Sequence, residues 1–294
     1  MKKLAAFALL FLGGTAAFAQ PMREPETVYS EAQRSKDLLD SRRVVELMLA
    51  PSFSIENQYA RWKHPVCPHV YGLTPVNAWF VEHRIKQVAA MVGAPVDMAD
   101  KCIADIGVIF TREPQASLLS IASARPFLVQ GGSQKLVVKS PVQAWYAAFK
   151  VDYDGFKTID IDWDITEPWR GEGDYPQVAS NDSKLHSGQH AELGAATVLV
   201  DTAAVTGMSL GAISDYVALL TLSQASQYGA CQPMPTIANL MVKGCDPEDT
   251  PHALSHIDIA LLTALYQVPD NPELLQKQRI VGAMRRSLEA QFGK

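Results

Sequence analysis

Residues 194–224 read GAATVLVDTAAVTGMSLGAISDYVALLTLSQ, residues 231–241 read CQPMPTIANLM, and residues 254–267 read LSHIDIALLTALYQ. In order these predict a strand, a helix, a tight turn and a second helix. Ala195–Val200 is a short apolar run of the kind that fills the centre of a sheet. Ser209 or Gly211 opens the helix, which runs over Ala212–Gln224. Its positions Ile213, Val217, Leu220 and Leu222, with Ala218 and Leu219 between them, are dense enough for burial on most of the circumference. Leu254–Tyr266 carries a second periodic set, Pro272–Phe292 is a charged amphipathic helix, and the chain therefore ends all-helical.

Working outward, Thr74–Val92 has helical spacing in Ala78, Trp79, Val81, Ile85, Val88, Ala89 and Val92. Thr74 is placed to cap it, Pro75 sits in the first turn where its missing N–H is harmless, and Gly93 ends it. Cys102–Phe110 reads as a buried strand, which makes helix and strand a first αβ unit. Before it, Ser30–Leu49 suits one helix or two short ones. Ser52–Leu73 reads as an edge strand, because Pro65 and Pro68 cannot donate to a ladder. After it, Gln115–Leu128 predicts a helix and Gly131-Gly132-Ser133 a turn. Val142–Val151 stays open, its aromatics favouring a strand and its alanines a helix. The expected class is α+β, a mixed sheet with helices.

The N-terminus constrains where the protein works. Lys2 and Lys3, then LAAFALLFLGG, then Ala17-Phe18-Ala19 make a secretory signal peptide over residues 1–19, with residues 20–29 a flexible tether and residues 30–294 a single domain. The apolar run is shorter than the ~20 residues a spanning helix needs. Removing it takes two lysines and no acid, so the formal charge moves from −5 to −7. An acidic surface argues against nucleic acid as a partner. A periplasmic or secreted chain with four cysteines implies disulfides; four allow three pairings, of which the local ones, Cys67 with Cys102 and Cys231 with Cys245, are favoured because each would tie a loop to a neighbouring element.

Several clusters have the residue types of metal sites without the spacing. His64-Pro-Val-Cys67-Pro-His69 is stiffened by two prolines, and its thiol belongs to a disulfide. Asp152-Tyr-Asp154-Gly155 lacks the oxygen ligands of a calcium loop, so the alternating acids of Ile159–Asp164 read as a solvated strand face. Glu167–His190 is a long Gly- and Pro-containing loop and a candidate sub-lobe boundary; within it His186 and His190 are four apart, with Glu192 beyond. His252 and His256 are also four apart, with Asp258 following, and offer a relocated zinc pair against the plainer reading of surface histidines at a helix start.

This order of elements resembles the metzincin group of zinc peptidases, particularly its exported bacterial members. Ala104–Phe110 looks like an early sheet strand of such domains, Ile213–Leu222 lies where they carry the HExxHxxG helix, Thr236–Met241 is placed like the methionine turn, and Leu254–Tyr266 is similar to the closing L-S-x-x-D … L-Y helix. The resemblance implies a zincin-like fold. It also puts Ser214 at the first ligand, Asp215 at the general base, Ala218 at the second ligand, Thr221 at the glycine and Gln224 at the third ligand, with Met241 in the turn. Hydrolytic zinc needs three protein ligands, an open position for water and a carboxylate to take its proton. Serine, alanine and glutamine supply no such set. The expectation is a catalytically inactive domain without a cofactor, binding an unknown peptide or cell-envelope component. The alternative is a hydrolase, through a relocated zinc or through Ser209, since Gly207-Met-Ser209-Leu-Gly211 fits the G-x-S-x-G elbow between strand and helix; the plain reading of Ser209 is a helix cap.

Overall fold

The computed structural model describes residues 41–49, 58–99, 101–129, 136–152, 157–158, 189–225, 230–270 and 273–292. The expected signal peptide and tether, the expected turn at 131–133, Asp154, the acids of 159–164 and His186 lie outside them. The fold is α+β. Residues 41–48 form helix α1, followed by β1 (Pro68–Tyr71), α2 (Pro75–Val92), β2 (Ile106–Thr111), α3 (Pro114–Ala124), β3 (Val142–Asp152), β4 (Lys157–Thr158), β5 (Gln189–Asp201), α4 (Leu210–Leu222), α5 (His256–Gln267) and α6 (Glu273–Phe292). One mixed sheet has the order β1-β2-β5-β3-β4. β1, β2 and β5 are parallel, with α2 the crossover between the first two; β3 runs antiparallel to β5, and β4 to β3.

Strand alternation sorts the sheet into two faces. Ile106, Val108, Phe110, Val142, Ala144, Ala196, Val198 and Val200 face the main core, where α2, α4 and α5 supply Val81, Ile85, Val88, Val217, Leu220, Leu261 and Leu265. Trp145 and Leu199 face the other way, onto Leu118 of α3 and Val129 of the 3-10 turn Pro126–Val129. Helices therefore cover both faces. β5 is the middle strand of the five, and its burial on both sides is why 195–200 is almost continuously apolar. Val142–Val151, ambiguous in the sequence, is a strand because an eleven-residue pairing with β5 overrides the helix propensity of its alanines.

Gly194 changes the parity of β5. Ala147 pairs with Ala195 and Ala148 with Leu193, which leaves Gly194 as an extra residue in the ladder. Below it Ala191 and Leu193 reach the main core; above it the even-numbered residues do. A Cβ at Gly194 would run into the ring of Phe149. Gly72 is fixed twice over, by a φ of +84° and by the Phe110 carbonyl that any Cβ would strike, and it turns the chain from β1 into α2.

The expected edge strand shrinks to Pro68–Tyr71, and it is guarded. The Val70 N–H donates to Glu82 Oε1 at 2.8 Å, and Val66 exchanges bonds with residues 95 and 97 through Val66 N to Pro95 O (3.0 Å) and Asp97 N to Val66 O (3.1 Å). An outward N–H occupied by a carboxylate is closed to further strand pairing. Other expectations shift for physical reasons. Thr74 is the N-cap residue of α2, but its side chain makes no capping bond, and Gly93 ends the helix in the left-handed conformation as expected. Trp79 is 54% exposed and stacks on His83 at 4.8 Å instead of joining the core. β2 begins at Ile106, since Cys102 is held by a disulfide outside the ladder, and Gln189 and His190 belong to β5, not to a loop. Both local disulfides are formed, with Cα–Cα distances of 5.9 Å for Cys67–Cys102 and 5.3 Å for Cys231–Cys245.

Candidate functional site

Ser214, Asp215, Ala218 and Thr221 come together on α4, which lies inside the protein; Gln224, expected at the helix end, falls two residues beyond it, because the helix stops at Leu222 with Ser223 as its cap. Every residue from Ala212 to Leu222 is buried. Ser209 is its N-cap: Oγ accepts from Ala212 N at 3.1 Å, and among the described residues it is bonded to no imidazole. Ser214 Oγ donates to Leu210 O at 2.7 Å and Thr221 Oγ1 to Val217 O at 2.9 Å, both folding back onto their own helix. Ala218 is fully buried among apolar neighbours, and Gln224 Oε1 is buried without a hydrogen-bond partner among the described residues.

Asp215 has the most determined surroundings of the set. Arg84 of α2 clamps it, Nε to Oδ1 at 2.5 Å and Nη2 to Oδ2 at 3.0 Å, and Leu254 N donates to Oδ2 at 2.9 Å. One carboxylate thus joins α2, α4 and the segment leading into α5. A bidentate guanidinium is the strong form of this interaction.

The methionine-turn-like segment is a 3-10 turn, Ile237–Met241, with Met241 in the main core. Its organising residue is Asp258. The fully buried carboxylate accepts from Thr236 Oγ1 (2.5 Å), Ile237 N (2.9 Å) and Ser255 N (2.8 Å), while Ser255 Oγ accepts from Asp258 N to complete a capping box on α5. Burial pushes the Asp258 carboxyl above the usual carboxylate range, against the donors that favour its anion. Asn239 stitches the turn from the other side, its amide donating to the carbonyls of Gln232, Met234 and Asp249 and its oxygen accepting from Gln232 N.

The far end of α4 depends on residues the sequence reading did not single out. A helix leaves its last four carbonyls without partners, and here that end is buried. Ser223 Oγ takes Leu219 O (2.7 Å), Tyr146 OH takes Leu220 O (2.9 Å), Trp62 Nε1 takes Thr221 O (2.6 Å) and Tyr266 OH takes Leu222 O (2.6 Å). All four are satisfied, by α4's own cap, by β3, by the segment before β1 and by α5. The available signal was negative: an apolar helix with no glycine at its end must borrow donors from elsewhere.

A second polar group gathers at the start of β2 and β5. His64 Nδ1 lies 2.8 Å from Glu192 Oε1 and its Nε2 3.5 Å from Asp105 Oδ2; His190 Nε2 is 3.9 Å from Glu192 Oε2. Beside them Arg61 and Lys63 hold the two oxygens of Asp270 at 2.7 and 2.6 Å, and Arg61 also donates to Leu265 O at 2.6 Å. Burial raises the Asp105 carboxyl above its ordinary value, against the Cys67 N–H and His64, and burial lowers the His190 imidazole. At Asp270 burial pulls upward, but Arg61 and Lys63 outweigh it and hold the carboxyl low. His190 and Glu192, two apart on a strand, share a face, and that period-two spacing was the signal available in the sequence.

These groups can exchange protons and pair charges, but among the described residues no three His, Cys, Asp or Glu side chains are arranged to hold a metal ion. The His64-x-x-Cys67-x-His69 cluster is divided: Cys67 is in a disulfide and the His69 ring lies against Tyr71 at 5.4 Å. His252 is exposed ahead of α5, and His256 begins that helix. No described helix is long and apolar enough to cross a membrane. Comparison with protein-family models, with characterised proteins and with solved structures returns no match.

Proposed function

We propose that this chain is an exported, non-catalytic domain with a zincin-like fold, acting in the periplasm or outside the cell by binding a peptide or cell-envelope component. The observation that carries the reading is Asp215. At the position the resemblance gives to the general base, the carboxylate is committed to Arg84 and Leu254 N, and the positions it gives to the ligands hold Ser214 and Ala218 on the same helix and Gln224 just past its end. A general base must reach the proton it takes. This one is closed in by α2 and α5. The two disulfides fit an oxidising compartment.

Elemental analysis of the purified mature chain tests the catalytic half of the proposal: far less than one zinc per chain is expected. Stoichiometric zinc that disappears in His252→Ala, or labelling of Ser209 by a serine-reactive probe, would overturn it. The binding half is tested by co-sedimentation with isolated envelope fragments and by binding to an immobilised peptide array. Retention by neither removes it.

A further inference from the structure

The two disulfides have unlike surroundings. Lys86, on the buried side of α2, sends its ammonium into the loop that ends at Cys102, donating to Ala99 O at 2.5 Å and lying 3.8 Å from Cys102 Sγ. Among the described residues no carboxylate pairs with it. A buried cation gains from an anion beside it, and the Cys102 sulfur is a group within its reach that can become one. At the partner cysteine the neighbouring group is a carboxylate: the Cys67 N–H donates to Asp105 Oδ1 at 2.8 Å. Cys102 is half-buried and reachable, whereas Cys67 is buried. Cys231 is exposed and Cys245 half-buried, with no cation in contact with either sulfur among the described residues.

We propose that Cys67–Cys102 is a reducible, redox-responsive bond whose open form is stabilised by a Cys102 thiolate paired with Lys86, while Cys231–Cys245 is a purely structural staple. The reductant is a dithiol. Its first thiolate attacks the accessible Cys102 sulfur, the Cys67–Cys102 bond breaks, and Cys67 leaves and takes up a proton. The second thiolate of the reductant then attacks its own sulfur in the mixed disulfide, and Cys102 leaves as the thiolate beside Lys86. In sum, two electrons pass from the dithiol, which ends as a disulfide, and its two protons end on Cys67 and in solvent. Lys86 acts on the leaving group of the second step and on the final equilibrium, because stabilising the reduced form makes a disulfide more oxidising. Opening the bond removes a covalent tie between Cys102 and the segment that enters β1, where the hydrogen bonds of Val66 to Pro95 and Asp97 and of Cys67 to Asp105 and Ile106 remain.

The experiment equilibrates the full mature chain with mixtures of reduced and oxidised dithiothreitol, traps free thiols with a maleimide and maps them by mass. Cys67 and Cys102 are expected to open at dithiol ratios that leave Cys231–Cys245 closed. Lys86→Met should move the first equilibrium about tenfold toward the disulfide, the equivalent of one pKa unit on the thiol, and leave the second unchanged. Equal opening of both bonds, or no shift in Lys86→Met, overturns the proposal. If Lys86→Met fails to fold, the pH profile of Cys102 alkylation in the reduced wild-type chain decides. A midpoint below the ordinary thiol value of about 8.5 supports the pairing, and one at or above it refutes the pairing.

Discussion

The polar groups on α4 and α5 and those at the start of β2 and β5 are built from the same residue types and come to opposite ends. Asp215 and Asp258 are buried, and each has three donors fixed by different segments of chain. His64, Asp105, Glu192 and His190 lie at a sheet end, with His64 36% and His190 21% exposed. In the first region low dielectric and complete bonding turn carboxylates into structural rivets. In the second, the imidazoles of His64 and His190 reach water while Glu192 is buried, so the same chemistry is shared between solvent and core. The lesson is that an acidic residue at a recognisable helical position says little until its donors are counted.

This contrast can be broken at graded points. Asp258→Ala should have the largest effect, about 3–5 kcal/mol of unfolding free energy in a urea titration, because it strands the donors of Thr236, Ile237 and Ser255 inside the core. Asp215→Ala should follow at about 2–4 kcal/mol, and the double variant Asp215→Leu/Arg84→Met should recover much of the loss, since removing both members of a buried pair is milder than removing one. A double variant as unstable as the sum of its singles would show that Arg84 and Asp215 do not act as a pair. Gly194→Ala should lower stability by about 1–3 kcal/mol through the Phe149 ring, and a simultaneous Phe149→Leu should relieve part of it.

Smaller effects probe the sheet end. Asp270 is held below its ordinary value of 3.8, so the folded chain binds that proton less tightly than the unfolded chain. Its contribution is present above the ordinary value and is lost as the pH falls through the folded value. Asp270→Asn should therefore cost about 1 kcal/mol near neutral pH, and its Tm should converge with the wild type in acid. Asp258, shifted upward, carries the opposite sign. His64→Ala should change stability least, by under about 1 kcal/mol. A loss comparable to that from Asp215→Ala would erase the distinction between the two regions.

Much of the element order was legible because it rests on local physics. Period-two and period-3.6 patterns, Pro75 and Gly93 at the ends of α2, and Ser209 at the start of α4 act within a few residues, and all appear where the sequence puts them. Trp79 misled because spacing alone does not say whether a face has anything to pack against; it stays 54% exposed and stacks on His83. The candidate site was legible only as a helix. That Asp215 is a clamp depended on Arg84, and that the end of α4 could be buried depended on Trp62, Tyr146 and Tyr266.

The sequence by itself determined the α+β class, the run of strands and helices, a central apolar strand, an export signal as an expectation, and a disulfide pairing favoured by proximity along the chain. The tertiary structure alone decided the insertion of β5 between β2 and β3, the parity change at Gly194, and the identity of the groups that meet. The reason is distance along the chain. Arg84 and Asp215 are 131 residues apart, His64 and Glu192 128, and Arg61 and Asp270 209, so no local pattern records them. They meet because the sheet and its helices bring those segments together, and what each charged group can do follows from how much water remains once they have met.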